Sequence, residues 1–138
     1  MFRRVELFAL CAAMGVSIAG PAVAQGAAPT VFTADQATAG AQVYAAQCAA
    51  CHGNAMEGVA GPALKGPQFK AMAQAQGMNA QSLLEVVSQS MPQSDPGSLT
   101  PDQYNQVVAY ILQQNGYAAG STPLSPNAAD LKNLDLSK

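Results

Sequence analysis

The sequence predicts an all-α domain, and three observations predict it. No pair of alternating apolar runs joined by a hairpin turn occurs along its 138 residues. Three segments open on a helix start signal and continue with apolar residues at helical spacing: Thr33-Ala34-Asp35-Gln36, Asn79-Ala80-Gln81-Ser82 and Thr100-Pro101-Asp102-Gln103. Glycine- and proline-punctuated stretches, too long for simple helix connections, separate them.

In chain order, residues 1–24 read as a cleaved secretory signal peptide. Arg3 and Arg4 form its positive start, Leu7 to Ala19 its apolar stretch and Ala22-Val23-Ala24 its cleavage site. Thirteen apolar residues fall short of the roughly 20 that span a bilayer, and Gly20-Pro21 breaks any extension. Cys11 lies within this segment and follows Leu10 rather than a small residue, so it does not read as a lipid acceptor. Residues 25–32 are an expected mobile lead. The main domain is expected over 33–116, with a tail over 117–138 that packs on the domain or on a partner.

Thr33 and Gln36 form a capping box, with Asp35 favourable at the positive helix end. The helix is expected to run to about Ala50, with Ala37, Gly40, Ala41, Tyr44 and Cys48 on one face. Glycine inside a helix costs about 1 kcal/mol. Gly40 is therefore either a place where another helix comes close or a tolerated position. Residues 53–66 form a loop. Pro67 to Gln76 can form a short helix with Phe69 and Met72 inward. Asn79 starts a helix carrying Leu83, Leu84, Val86 and Val87, and Met91-Pro92 lies beyond its end. After an irregular loop over 91–99, Thr100, Pro101 and Gln103 make the clearest start in the chain. Tyr104, Val107, Val108, Ile111 and Leu112 form that helix's buried stripe, and Asn115-Gly116 ends it. Ser125-Pro126 can open one more short helix, and Leu131, Leu134 and Leu136 are available to dock.

The chemistry concentrates at Cys48-Ala49-Ala50-Cys51-His52. Two thiols three residues apart, followed by histidine, are the attachment signal for haem c. One helical turn sets both sulfurs on one side of the chain, where each can add to a vinyl group. His52 then reaches iron as the proximal ligand. A thioredoxin-type dithiol belongs in a βαβ unit, and no strand-like run is near. A zinc site wants four ligands, yet the chain has one histidine and a third cysteine only in the signal segment. A Cys48–Cys51 disulfide would close a very small loop with little entropy to remove. One covalently bound haem c is the expected cofactor.

Beyond residue 24, Lys65, Lys70, Lys132 and Lys138 face seven carboxylates, a balance of −3. This argues against nucleic acid as a partner. The single histidine also leaves no general base, so no catalytic residues are assigned.

Over essentially the whole chain after residue 24, the sequence resembles the class I cytochromes c. The resemblance rests on the early position of Cys48–His52, on Gly40 and Tyr44 in the first helix, on Val107 and Tyr110 in the last, and on Gly61-Pro62-Ala63-Leu64. The four-helix cytochromes c′ carry their motif near the C-terminus and are disfavoured. The resemblance implies a small class I cytochrome c fold, four to five helices with long loops wrapped round the haem. It implies that the Pro62 carbonyl accepts the Nδ1–H of His52 and that Leu64 packs on the haem. It implies Met91 as the sixth ligand, since Met-Pro before the last helix is where the family places its axial methionine. Met72 and Met78 read as flexible core filler, and Met56 lies too close to His52 to reach the opposite haem face.

A closer similarity is to cytochrome c domains and subunits serving periplasmic dehydrogenases, including the pyrroloquinoline-quinone alcohol dehydrogenases. It rests on Met91-Pro92, Pro96-Gly97-Ser98-Leu99, Tyr104, Val108 to Leu112 and Asn115-Gly116. It implies a separate subunit or soluble carrier in the periplasm with no stable membrane span after cleavage. Such a protein would pass single electrons from a dehydrogenase to an oxidase or another cytochrome, and would not be an enzyme. Two other readings compete. A ligand-binding or peroxidase-like haem would need an open iron site, but the chain has no second histidine and no arginine beyond Arg4. Residues 117–138 motivate a docking subunit of a larger complex.

Overall fold

Hydrogen bonds at Thr33 start the first helix. Its hydroxyl accepts from the Gln36 N–H at 3.2 Å, and the Gln36 side chain accepts from the Thr33 N–H at 3.3 Å. The computed structural model describes residues 29–138, so the expected signal peptide and the start of the expected lead lie outside the described residues. Helix α1 spans Ala34–Gln47 and α2 spans Ala49–His52. The sequence led us to expect one helix ending near Ala50. Instead it breaks at Cys48, and the second piece runs on through the histidine.

Helix α3 covers Gly66–Gln76 and stops at Gly77, whose positive φ of 60° ends the helix in the left-handed region. Helix α4 covers Ala80–Ser90, capped by the Asn79 side chain, which accepts from the Ser82 N–H at 2.9 Å. Helix α5 covers Pro101–Gln114, started by the expected Thr100–Gln103 capping box. The domain is all-α; among the described residues the one β-type pairing is an isolated bridge, Asn79 with Asp135. No described helix is long and apolar enough to cross a membrane.

Helix α1 packs across α5, and α4 packs on α5 beside them. Gly40 explains the first contact. A Cβ there would lie inside the Gln106 carbonyl of α5 and 3.0 Å from Tyr110 Cβ. The glycine therefore marks a close helix approach. One turn later Tyr44 and Tyr110 meet as tilted rings 5.6 Å apart. The stripe expected on α5 is buried throughout, from Tyr104 to Leu112. On α3 the inward pair is Phe69 with Ala73, four residues apart, whereas Met72, expected inward, is half-buried. Val86 faces solvent.

Two differences lie at the ends. The lead expected over 25–32 does not hold at its last residues: Val31 and Phe32 are in the core, and the Phe32 carbonyl accepts from the Gly120 N–H at 2.8 Å. Residues 117–138 fold back on the domain. Leu124, Leu131, Leu134 and Leu136 are buried. The Leu136 N–H donates to Met78 O at 3.1 Å, the Ala80 N–H donates to Leu134 O at 3.0 Å, and Gln36 exchanges two hydrogen bonds with Leu124. The short helix of this segment is a 3-10 turn over Ala129–Asn133 rather than a helix opening at Ser125.

Gly40→Ala is expected to destabilise the folded protein by about 3 kcal/mol, the upper range for overpacking a rigid contact, read as a lower denaturant midpoint. An unchanged midpoint would mean that α1 and α5 separate easily.

Candidate functional site

Helix α2 is a single turn, and backbone groups of the following loop meet the carbonyls at its end. The Cys51 carbonyl accepts from the N–H groups of Val59, Ala60 and Gly61 at 3.2, 3.0 and 2.8 Å, and the His52 carbonyl accepts from Gly58 at 2.8 Å. The following loop is thus folded back against the motif. Gly53 and Gly58, with φ of 85° and 82°, make the turns this return requires. Tyr44 reaches from α1 and donates its hydroxyl to Gly53 O at 2.7 Å. That buried bond anchors the end of the motif to the α1–α5 crossing.

Cys48 is half-buried, Cys51 is exposed, and both are free thiols. Burial pushes the Cys48 thiol up from its ordinary range, and the neighbouring Cys51 adds to the rise. His52 is 8% exposed. Its Nδ1 lies 2.7 Å from the Pro62 carbonyl oxygen. With Nδ1 donating there, Nε2 is left with a lone pair for a metal. Gly61 lies flat against the same ring, where a Cβ would meet Cε1 at 2.8 Å and Nδ1 at 3.0 Å.

Leu64 is half-buried. Its N–H donates to Met56 O at 3.0 Å, and its carbonyl accepts from Asn115 Nδ2 at 2.8 Å. Asn115 Oδ1 accepts from the Gly66 N–H at 3.1 Å. The end of α5 therefore clamps both sides of the Leu64 turn. Met91 is the C-cap of α4, half-buried, with its carbonyl accepting from the Tyr104 hydroxyl at 2.9 Å. Of the other methionines, Met56 and Met78 are buried in the core and Met72 lies at its edge. The structure thus joins Cys48, Cys51, His52, Pro62 and Leu64 through one hydrogen-bonded loop. Met91 stands on a separate arm, linked to them through α5.

A haem c fits this donor set. The segment offers two thiols one helical turn apart and an imidazole with one nitrogen engaged. Leu64, Met72, Val87 and Leu99 are apolar side chains that pack on the core yet stay half-buried, as the lining of a flat apolar group would be.

Reading the sequence missed four of these parts: the Tyr44 hydroxyl, the flat face of Gly61, the Asn115 clamp and the Tyr104 hydroxyl. Asn115 next to Gly116 carried a signal, but one read only as a helix stop. The hydroxyl contacts span nine and thirteen residues and leave no mark in local spacing.

Burial pushes the Tyr44 hydroxyl up to about 12, with Cys48, Glu57 and Tyr110 adding to the rise. The folded state therefore favours the protonated phenol. Its contribution to stability is full below pH ~10, where the unfolded tyrosine titrates, and is lost as pH rises toward the folded value. Tyr44→Phe is expected to flatten the fall in melting temperature between pH 10 and 12. An unchanged slope would place the titration elsewhere.

The family model described as cytochrome C oxidase, cbb3-type, subunit III matches residues 35–111, more than half of the chain. No curated protein and no solved structure matches significantly.

Proposed function

The chain belongs to the cbb3-type subunit III family of cytochrome c domains, which carry haem and transfer electrons; within that role we propose a periplasmic monohaem carrier of single electrons. On this reading Cys48 and Cys51 would hold one haem c as thioethers, and His52 and Met91 would ligate its iron. Bound in this way, the haem supplies a one-electron iron couple, with the thioether ligand favouring the ferrous state. The observation that carries the reading is the His52–Pro62 hydrogen bond beside two free thiols. Pro62 orients the imidazole, Gly61 lets the loop lie against it, and Leu64 packs on the cofactor. Two protein ligands would leave the iron no open position for substrate, which suits electron transfer rather than turnover.

The donor is proposed to be a periplasmic dehydrogenase and the acceptor an oxidase or another cytochrome, after export on the N-terminal signal. Contact with them is weak and small in area, as is usual for redox encounters. Val59, 72% exposed on the loop bonded to Cys51, and the exposed Cys51 support a neutral, apolar contact. Among the described residues, Lys65 and Lys70 are the cations nearest this loop in sequence, and the amine of Lys65 already bonds Gln114 at 3.2 Å. A mainly docking role for residues 117–138 loses its motivation, because their leucines are spent on the chain's own core.

The test is the ferric visible spectrum of protein matured in a host that attaches haem c. A weak long-wavelength band from iron–sulfur ligation is expected in the wild type. Met91→Ala is expected to lose it, turn high-spin and show a lower potential. A band that survives in Met91→Ala would assign the ligand to another methionine.

A further inference from the structure

The loop that carries Met91 makes few hydrogen bonds to the rest of the domain. Among the described residues, the hydrogen bonds within 92–99 are local turns: the Asp95 N–H donates to Pro92 O at 3.0 Å and the Ser98 N–H to Asp95 O at 3.3 Å. One tertiary hydrogen bond ties residues 91–99 to the core. It is the Tyr104 hydroxyl donating to the Met91 carbonyl at 2.9 Å. Tyr104 itself is firmly placed. It is 6% exposed, and its N–H donates to Thr100 O at 3.1 Å in the capped first turn of α5. The other backbone group of Met91 is fastened too, its N–H donating to Val87 O of α4 at 3.1 Å. Both polar groups of the Met91 backbone are therefore committed, one to each of two packed helices. Only the side chain is left to reach elsewhere.

From this we propose that Tyr104 is a positioning residue for the axial methionine. Its hydroxyl holds the Met91 backbone at a fixed distance from α5 and so keeps the sulfur at iron against competing ligands. This rests on the reading of Met91 as the sixth ligand. Nothing is bonded or transferred in the step; the tyrosine shifts the balance between a ligated and a detached methionine arm. Losing the hydroxyl weakens the ligated arm and leaves the ring's packing in place. The same α5 clamps the Leu64 turn through Asn115 at its other end, so one rigid helix sets the positions of both loops.

The experiment titrates imidazole, as a competing sixth ligand, into the ferric holoprotein and follows loss of the iron–sulfur band. Tyr104→Phe is expected to bind imidazole about three- to tenfold more tightly than wild type, the ratio that one net hydrogen bond gives. Tyr117→Phe is the matched control. It removes a hydroxyl that donates to Asp135 O at 3.0 Å, in the tail. It is expected to lower the melting temperature by a similar amount with imidazole affinity unchanged. Equal imidazole affinity in Tyr104→Phe and wild type would overturn the proposal. So would an equal gain in Tyr117→Phe, which would make the effect one of general stability. A wild type without the band would overturn the Met91 reading first, and this proposal with it.

Discussion

The structure depends on how closely α1 can approach α5. Gly40 has no side chain, so the α5 backbone at Gln106 occupies the space a Cβ would need. Everything chemical hangs from the two helices that meet there. From α1, Tyr44 reaches the end of the motif and holds Gly53. From α5, Tyr104 holds Met91 and Asn115 holds Leu64 and Gly66. A small domain with long loops gains precision by referring each loop to one rigid crossing. The loops themselves bury too few side chains to set their own positions.

Local backbone bonding does the rest. Three consecutive N–H groups converge on the Cys51 carbonyl, and a fourth meets the His52 carbonyl. This satisfies the carbonyls at the end of a one-turn helix, where intrahelical partners run out. It also brings Pro62 to the imidazole. The same economy appears in the tail, where backbone pairing around Asn79 and Asp135 lets four leucines complete the core. The tail is thus part of the fold and not an appendage. The charge of the chain, concentrated in few residues, leaves residues 58–64 around Val59 uncharged.

Much of this was legible in the residues. The capping boxes at Thr33 and Thr100, the Asn79 start and the α5 stripe follow from local chemistry and period, and the helices begin where those signals place them; the close approach at Gly40 was one of two readings its position allowed. The motif itself is a local pattern and could be read directly. What was not legible is long-range. The first helix breaks at Cys48, whose φ of −118° departs from helical values, and no residue pattern there announces it. Val31 and Phe32 are buried because the tail returns to cover them, which no spacing near residue 30 records. Tyr104 read as one more member of an apolar stripe, although its hydroxyl is the part that touches Met91.

On the proposed reading, His52 and Met91 would both ligate the haem iron, which would then serve to pass electrons. Exposure of the ferrous holoprotein to carbon monoxide, followed by visible absorption after rapid mixing, tests it most directly. If Met91 holds the sixth position as proposed, the spectrum stays unchanged. A rapid shift to a carbonyl-type spectrum would contradict it and would make the iron a site for ligands rather than a station for electrons.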